Sequence, residues 1–197
     1  IIKMLFNSYI FIFLFLPLCL AGFYMLKNRQ ATLAKVWLTC FSLWFYGYFN
    51  QSYLLIMICS ILGNYLIHGW IVKARGASQG NLVVKQGKLL SSSKFIMIIG
   101  VTLNLLVLFY FKYFDFFLDN INTLFGSSIP LKNILLPLGI SFFTFQQISF
   151  LVDTYRGELD TVSFVDYALF VSFFPQLIAG PIVIHEEMVP QFIRIGN

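Results

Sequence analysis

Charge is scarce in this sequence, and acid scarcer than base: Asp, Glu, Lys and Arg make up 11% of 197 residues, with 13 basic against 8 acidic. An ordinary soluble domain carries roughly 25% charged residues. With 59% of residues hydrophobic, 24 phenylalanines and a mean hydropathy of +0.83, the apolar excess has to face lipid, which excludes a water-soluble globular domain. Cysteine is equally thin. Cys19, Cys40 and Cys59 lie far apart inside apolar runs, without the C-x-x-C spacing of a zinc or redox site, and read as membrane-buried thiols. There is no G-x-S-x-G, no phosphate loop, no zinc spacing and no assembled pair of carboxylates. Internal repeats and low-complexity tracts are also missing. The net charge of +5 is confined to local segments and does not indicate a nucleic-acid partner.

What is present is a succession of apolar runs. The first, Met4 to Leu26, has about 23 residues, enough at ~1.5 Å each to cross the ~30 Å hydrocarbon core. Pro17 predicts a kink in it. It is too long for a signal-peptide core and has no A-x-A-like cleavage site. Lys27 to Lys35 follows with three bases and no acid. The stretch Val36 to Val72 is too long for one helix, and Asn50-Gln51-Ser52 divides it into spans near Val36 to Phe49 and Tyr53 to Val72. Residues 73–94 carry Lys73, Arg75, Lys85, Lys88 and Lys94 with no acid, which predicts a basic cytoplasmic loop. Two basic segments share a side only if an even number of helices separates them; that supports the division at Asn50 and puts the amino terminus outside. A fourth span, Phe95 to Phe111, runs into an aromatic collar of Tyr110, Tyr113, Phe114, Phe116 and Phe117, with Lys112 and Asp115 placed to pair. Asp119 to Asn133 reads as a near-neutral outer loop. The fifth apolar core is Leu138 to Val152 and the sixth Phe164 to Ala179. The fold class is an all-α, polytopic membrane bundle of about six spans.

The last two spans are unusual, since a helix that only anchors a protein has no need of polar side chains at membrane depth. Gln146, Ser149 and Asp153 fall on one arc of about 60°, while Thr144 and Gln147 point the other way. Neither face should touch lipid: an unpaired buried amide costs roughly 1–3 kcal/mol. They line a cavity or bond to neighbouring helices. In the sixth span Pro175 removes a donor, Gln176 follows it, and Gly180-Pro181 stops the helix. That pattern predicts a broken or re-entrant element near Pro175 to Pro181, with an ordinary helix end as the alternative. Of the two histidines, His68 reads as an interfacial packing residue. His185, after the Gly-Pro break and before Glu186 and Glu187, is a weak candidate for a general base.

The runs Leu136-Pro137-Leu138-Gly139-Ile140-Ser141-Phe142-Phe143-Thr144-Phe145-Gln146-Gln147 and Val152-Asp153-Thr154-Tyr155-Arg156-Gly157 resemble the membrane-bound O-acyltransferase family. The likeness is to its bacterial branch that acetylates alginate, peptidoglycan or other exported polysaccharides. Phe173-Phe174-Pro175-Gln176-Leu177-Ile178-Ala179-Gly180-Pro181-Ile182, then Pro190-Gln191-Phe192, continue the pattern, and Met4-Leu5-Phe6-Asn7-Ser8-Tyr9 resembles that branch's start, with Ile1 to Lys3 as extra residues ahead of it. The resemblance covers nearly all of residues 1–197. It implies passage of an acyl group from a cytoplasmic thioester donor or carrier, through a protein tunnel, to a hydroxyl acceptor at the outer face of the bacterial inner membrane. No bound cofactor is implied. The partners would be lipid, the donor, and an outer polysaccharide or partner acetyltransferase. Gln146, Gln147, Ser149, Asp153, Arg156, Pro175, Gln176, Gly180 and Pro181 are the expected tunnel lining. The family's histidine motifs, one like R-W-H-I-S-L and one like W-H-G, are absent, so the expectation is an amino-terminal portion, inactive alone. A channel or transporter is the competing reading, because broken helices with midplane polar groups also mark transport sites. A non-catalytic scaffold subunit is the third.

Overall fold

The computed structural model describes residues 8–27, 29–79, 86–159 and 162–179, and every regular element among them is helical. From Ser8 a π-helical stretch, Phe11–Phe15, runs into α1, Leu16–Lys27. The ring of Pro17 crowds the backbone of the preceding turn. The wider π turn just before it takes up that crowding, with the Leu16 N–H reaching back to the Phe11 carbonyl.

The long apolar stretch is parted at Asn50 into α2, Ala31–Phe49, and α3, Gln51–Gln79. Asn50 is extended (φ −164°, ψ 119°), and its Oδ1 accepts the Ser52 N–H at 2.9 Å. A short side-chain acceptor at that place satisfies a donor that the first helical turn leaves free. Then come α4, Gln86–Lys112, and α5, Phe114–Phe125. The central α6 is Ile140–Arg156, followed by α7, Phe164–Ser172, and α8, Phe174–Ala179.

Three expectations are corrected. Most of the described part of 73–94 is helix, not loop, since α3 continues to Gln79 and α4 begins at Gln86. Lys, Arg, Ala and Gln are good helix formers, so the ladder continues beyond the apolar part of each helix. Asp119 to Phe125 is likewise helical, as the second half of α5. Lys112 and Asp115 do not form the expected pair. The Asp115 carboxylate accepts the Lys132 and Ile134 N–H groups at 2.9 and 2.8 Å, and Lys112 Nζ sits over the Tyr113 ring, 5.3 Å from its centre.

Among the described residues, two helical segments, Gln51–Gly76 and Ser92–Lys112, are long and apolar enough to cross a bilayer, and Phe11–Lys27 is a shorter apolar helix. α6, at 17 residues, and the divided sixth run fall short of that measure. Phe13, Leu55, Leu66, Phe95 and Leu106 are each more than half exposed, a distribution suited to lipid contact.

Contacts between helix ends fix which termini lie together. At one end the hydroxyls of Tyr46 and Tyr53 donate to the carbonyls of Leu138 and Leu135, each at 2.6 Å, holding the approach to α6. At the other, Lys35 pairs with Asp166 at 2.7 Å, and Arg75 donates to the Thr154 carbonyl at 2.9 Å. The two basic segments, around Lys35 and around Arg75, therefore lie at the same end of the bundle. An even number of helices separates them, as the division at Asn50 requires.

At that end α6 stops on Gly157, whose φ of +93° is left-handed and whose N–H caps the Asp153 and Thr154 carbonyls. A methyl group added there would meet the Arg75 guanidinium. Backbone strain of that kind costs about 1–3 kcal/mol. Gly157→Ala is expected to lower the midpoint of thermal unfolding in detergent, and pairing it with Arg75→Ala should return only the steric part of the loss.

Candidate functional site

α6 is enclosed by α3, α4 and α7, and both of its polar faces are buried. Gln147, fully buried, points toward α3 and α4. Its Oε1 accepts from the Ser60 hydroxyl at 2.6 Å and from Asn64 Nδ2 at 3.0 Å. Asn64 and Asn104 face each other as reciprocal carboxamides: Asn104 Nδ2 donates to Asn64 Oδ1 at 2.6 Å and Asn64 Nδ2 to Asn104 Oδ1 at 3.2 Å. Asn104 Nδ2 also lies 2.8 Å from the Gly100 carbonyl. Ser60, Asn64 and Asn104 form the polar floor of an otherwise apolar cleft of about 410 Å³ between α3 and α4, walled by Leu55, Ile67, Leu103 and Val107.

The same face of α3 continues to His68, one turn beyond Asn64. His68 is 5% exposed, with Nδ1 2.9 Å from the Thr154 hydroxyl and its ring against Tyr65 and Phe150. His68 is thus a packing residue, with its partners inside the bundle. Four-residue spacing turns it inward with Ser60 and Asn64. Arg75 completes the line on the Thr154 carbonyl. Ser60, Asn64, His68 and Arg75 thus make a polar seam along which α3 and α6 run parallel.

The other face of α6 carries Gln146, Ser149 and Asp153. Ser149 donates to Asp153 Oδ2 at 3.2 Å, so this part of the expected arc is a bonded pair. Gln146 is buried beside it, and its Oε1 has no hydrogen-bond partner among the described residues. Arg156 sits exposed at the end of α6, apart from the buried polar groups. The sixth run breaks at Phe173 (φ −56°, ψ 103°), two residues before the proline. Pro175 occupies the first turn of α8, where its missing N–H leaves no helical bond unmade. Pro175 is exposed, and Gln176 turns inward with neither amide atom paired among the described residues. Gly180, Pro181 and His185 lie outside the described residues. No group of three or more His, Cys, Asp or Glu side chains placed to hold a metal occurs among the described residues.

Over almost its entire length the chain is similar to bacterial O-acetyltransferases. The peptidoglycan O-acetyltransferase of Helicobacter pylori is 38% identical over 221 residues, an alignment covering 98% of this chain and 40% of that protein. Probable alginate O-acetylase AlgI of Pseudomonas aeruginosa is 38% identical, with 96% and 34% covered, and that of Azotobacter vinelandii 37%, with 96% and 36%. This similarity is in keeping with the resemblance to the membrane-bound O-acyltransferase family. No family profile matches the chain, and no solved structure does. It spans 34–40% of the length of these three relatives. Apolar helices and kinship with membrane O-acetyltransferases make it a membrane protein.

Polarity at membrane depth points to Gln146, Gln147 and Gln176, and all three are buried. Sequence reasoning misses Ser60, Asn64, Asn104 and Thr154. For Ser60 and Asn64 the signal is a polar residue recurring every fourth position, 60, 64 and 68, inside an otherwise apolar run.

Proposed function

We propose that the chain forms part of the wall of an acyl-transfer passage in a bacterial inner-membrane O-acyltransferase. The acyl group, acetyl by analogy with the named relatives, moves from a cytoplasmic thioester donor to hydroxyls of an exported cell-surface polysaccharide. The basic end of the bundle faces the cytoplasm by the positive-inside rule, the amino terminus lies outside, and the apolar helices complete about six crossings. The donor, or a carrier bearing it, meets the basic end; the acceptor, or a partner acetyltransferase presenting it, meets the other.

The observation that carries this reading is that Gln146 Oε1 and both Gln176 amide atoms, on side chains more than nine-tenths buried, have no hydrogen-bond partner among the described residues. A buried amide without a partner costs about 1–3 kcal/mol, so such groups persist where a ligand or water uses them. A free amide N–H suits a thioester carbonyl or developing oxyanion, and a free amide oxygen suits an acceptor hydroxyl. The base that takes the hydroxyl proton would come from histidine motifs of the R-W-H-I-S-L and W-H-G kind.

In the intact acyltransferase, Gln146→Leu and Gln176→Leu should each lower O-acetyl content of the polysaccharide about tenfold or more per inserted protein. Thermal stability should hold or rise, because leucine removes an unpaired polar group. Unchanged O-acetylation in both variants would overturn the proposal. Substrate flux in proteoliposomes without acyl transfer would favour a transporter instead.

A further inference from the structure

The feature that the acyl-transfer reading does not use is α5. Six of its seven apolar residues, Phe114, Phe117, Leu118, Ile121, Leu124 and Phe125, share one arc of about 120°; Asp115, Asp119, Asn122 and Thr123 fall on the opposite side, with the exposed Phe116 beside them. No residue of α5 is buried. The polar edge is nevertheless occupied. The chain after Gly126 turns back along it, so that Asn122 exchanges two hydrogen bonds with the backbone of Ile129, at 2.9 and 2.8 Å, and Asp115 takes the Lys132 and Ile134 N–H groups. The apolar edge is left uncovered among the described residues: Phe117 is 52% exposed, and Leu124 and Phe125 are 79% exposed.

Such a helix could lie in water, against protein or in lipid, and its surroundings point to the last. α5 follows α4, a membrane-crossing helix, after one residue, Tyr113. The Phe117 ring packs edge-on against Phe109, which is itself on the exposed apolar surface of α4, with centres 6.0 Å apart. The uncovered edge of α5 is therefore continuous with the lipid-facing side of α4. At the junction Lys132 Nζ sits over the Tyr110 and Phe114 rings, at 5.6 and 5.1 Å, and Lys112 over Tyr113. Aromatic rings with lysines reaching past them are the side chains that settle where acyl chains meet headgroups. α5 itself has no Lys or Arg, so its affinity comes from apolar insertion and not from attraction to anionic lipid.

We propose that α5 lies in the membrane plane, its Phe117–Leu124–Phe125 edge seated at the headgroup–acyl boundary of the leaflet opposite the basic end, where it is a lipid-binding surface. The proposal rests on the chain being a membrane protein and is independent of acyl transfer. The test places a nitroxide at Leu124 or at Asp119, on opposite sides of α5, in the full-length protein with its native cysteines replaced, reconstituted in phosphatidylcholine nanodiscs. Power saturation with dissolved oxygen and with an aqueous nickel chelate then reports each site. The expected result is an oxygen-to-nickel accessibility ratio several-fold higher at Leu124 than at Asp119, unchanged in high salt. Equal nickel accessibility at both sites would mean a helix in water. A Leu124 site closed to both reagents would mean a protein partner. Either result overturns the proposal.

Discussion

Gly100→Leu is expected to leave little folded protein. Gly100 is buried where α4 crosses both α3 and α6, and a methyl group there would come within 2.7 Å of Leu151 Cδ1 and 3.0 Å of Ile67 Cγ2. Both neighbours belong to the principal core, with Leu151 fully buried, so neither has free volume to retreat into. Overpacking costs about 1–3 kcal/mol even where a core can adjust. Here the added bulk would separate three helices at once and pull Asn104 from its partners one turn away. Gly100→Ala, which needs the Leu151 methyl to move clear of a 2.7 Å approach and Ile67 to give by a few tenths of an ångström, should remain folded with a clearly lowered unfolding temperature. The check is the yield of monodisperse protein in detergent, with thermal unfolding for whatever survives. Wild-type yield and stability for the leucine variant would show that the helices do not meet so closely.

The second large effect is expected at the facing asparagines. Asn104→Leu removes the donor to Asn64 Oδ1, and Asn64→Leu removes Asn104's cross-helix partner and one of the two donors to Gln147. Each single change leaves a buried carboxamide partly unpaired, at a cost of about 1–3 kcal/mol. The double substitution removes both members of the pair and should cost clearly less than the sum of the singles, since apolar groups replacing both partners of a buried hydrogen bond can be nearly neutral. In membranes such couplings average about 0.6 kcal/mol and reach about 1.7. A reciprocal pair enclosed by three helices belongs at the upper end. Additive effects in a double-mutant cycle would mean that the two amides act independently.

Much of this arrangement was legible in the sequence, and the reason differs from place to place. Asn50-Gln51-Ser52 marks the division because a polar triplet inside an apolar stretch too long for one helix has few other uses. The shared side of the basic segments followed from parity alone, and the Lys35–Asp166 and Arg75–Thr154 contacts lie where parity puts them. Periodicity placed Gln146 and Gln147 on different faces, both inward. It did not say that Gln147 Oε1 would be bonded while Gln147 Nε2 and Gln146 Oε1 have no partner among the described residues, because Ser60 and Asn64 are remote in sequence. The partner of His68 was hidden for the same reason: only Thr154, 86 positions away, shows why this packing residue is turned inward. A break in the sixth run was expected near Pro175 to Pro181, and among the described residues one occurs at Phe173, because a proline is better accommodated just inside a new helix than at the end of an old one. The basic segment and residues 119–125 read as loop in the sequence since polarity marks where apolar spans end, and it does not mark where helical hydrogen bonding ends.

The parallel course of α3 and α6 bears on how the protein is made. α4 must return between them, so the ribosome finishes α3 and α4 well before Gln147 is synthesised. In that interval Asn64 and Asn104 have each other, nearby backbone carbonyls and the Ser60 hydroxyl to satisfy their amides. The reciprocal pair can therefore be made within the α3–α4 hairpin alone, with the Gln147 bonds added last.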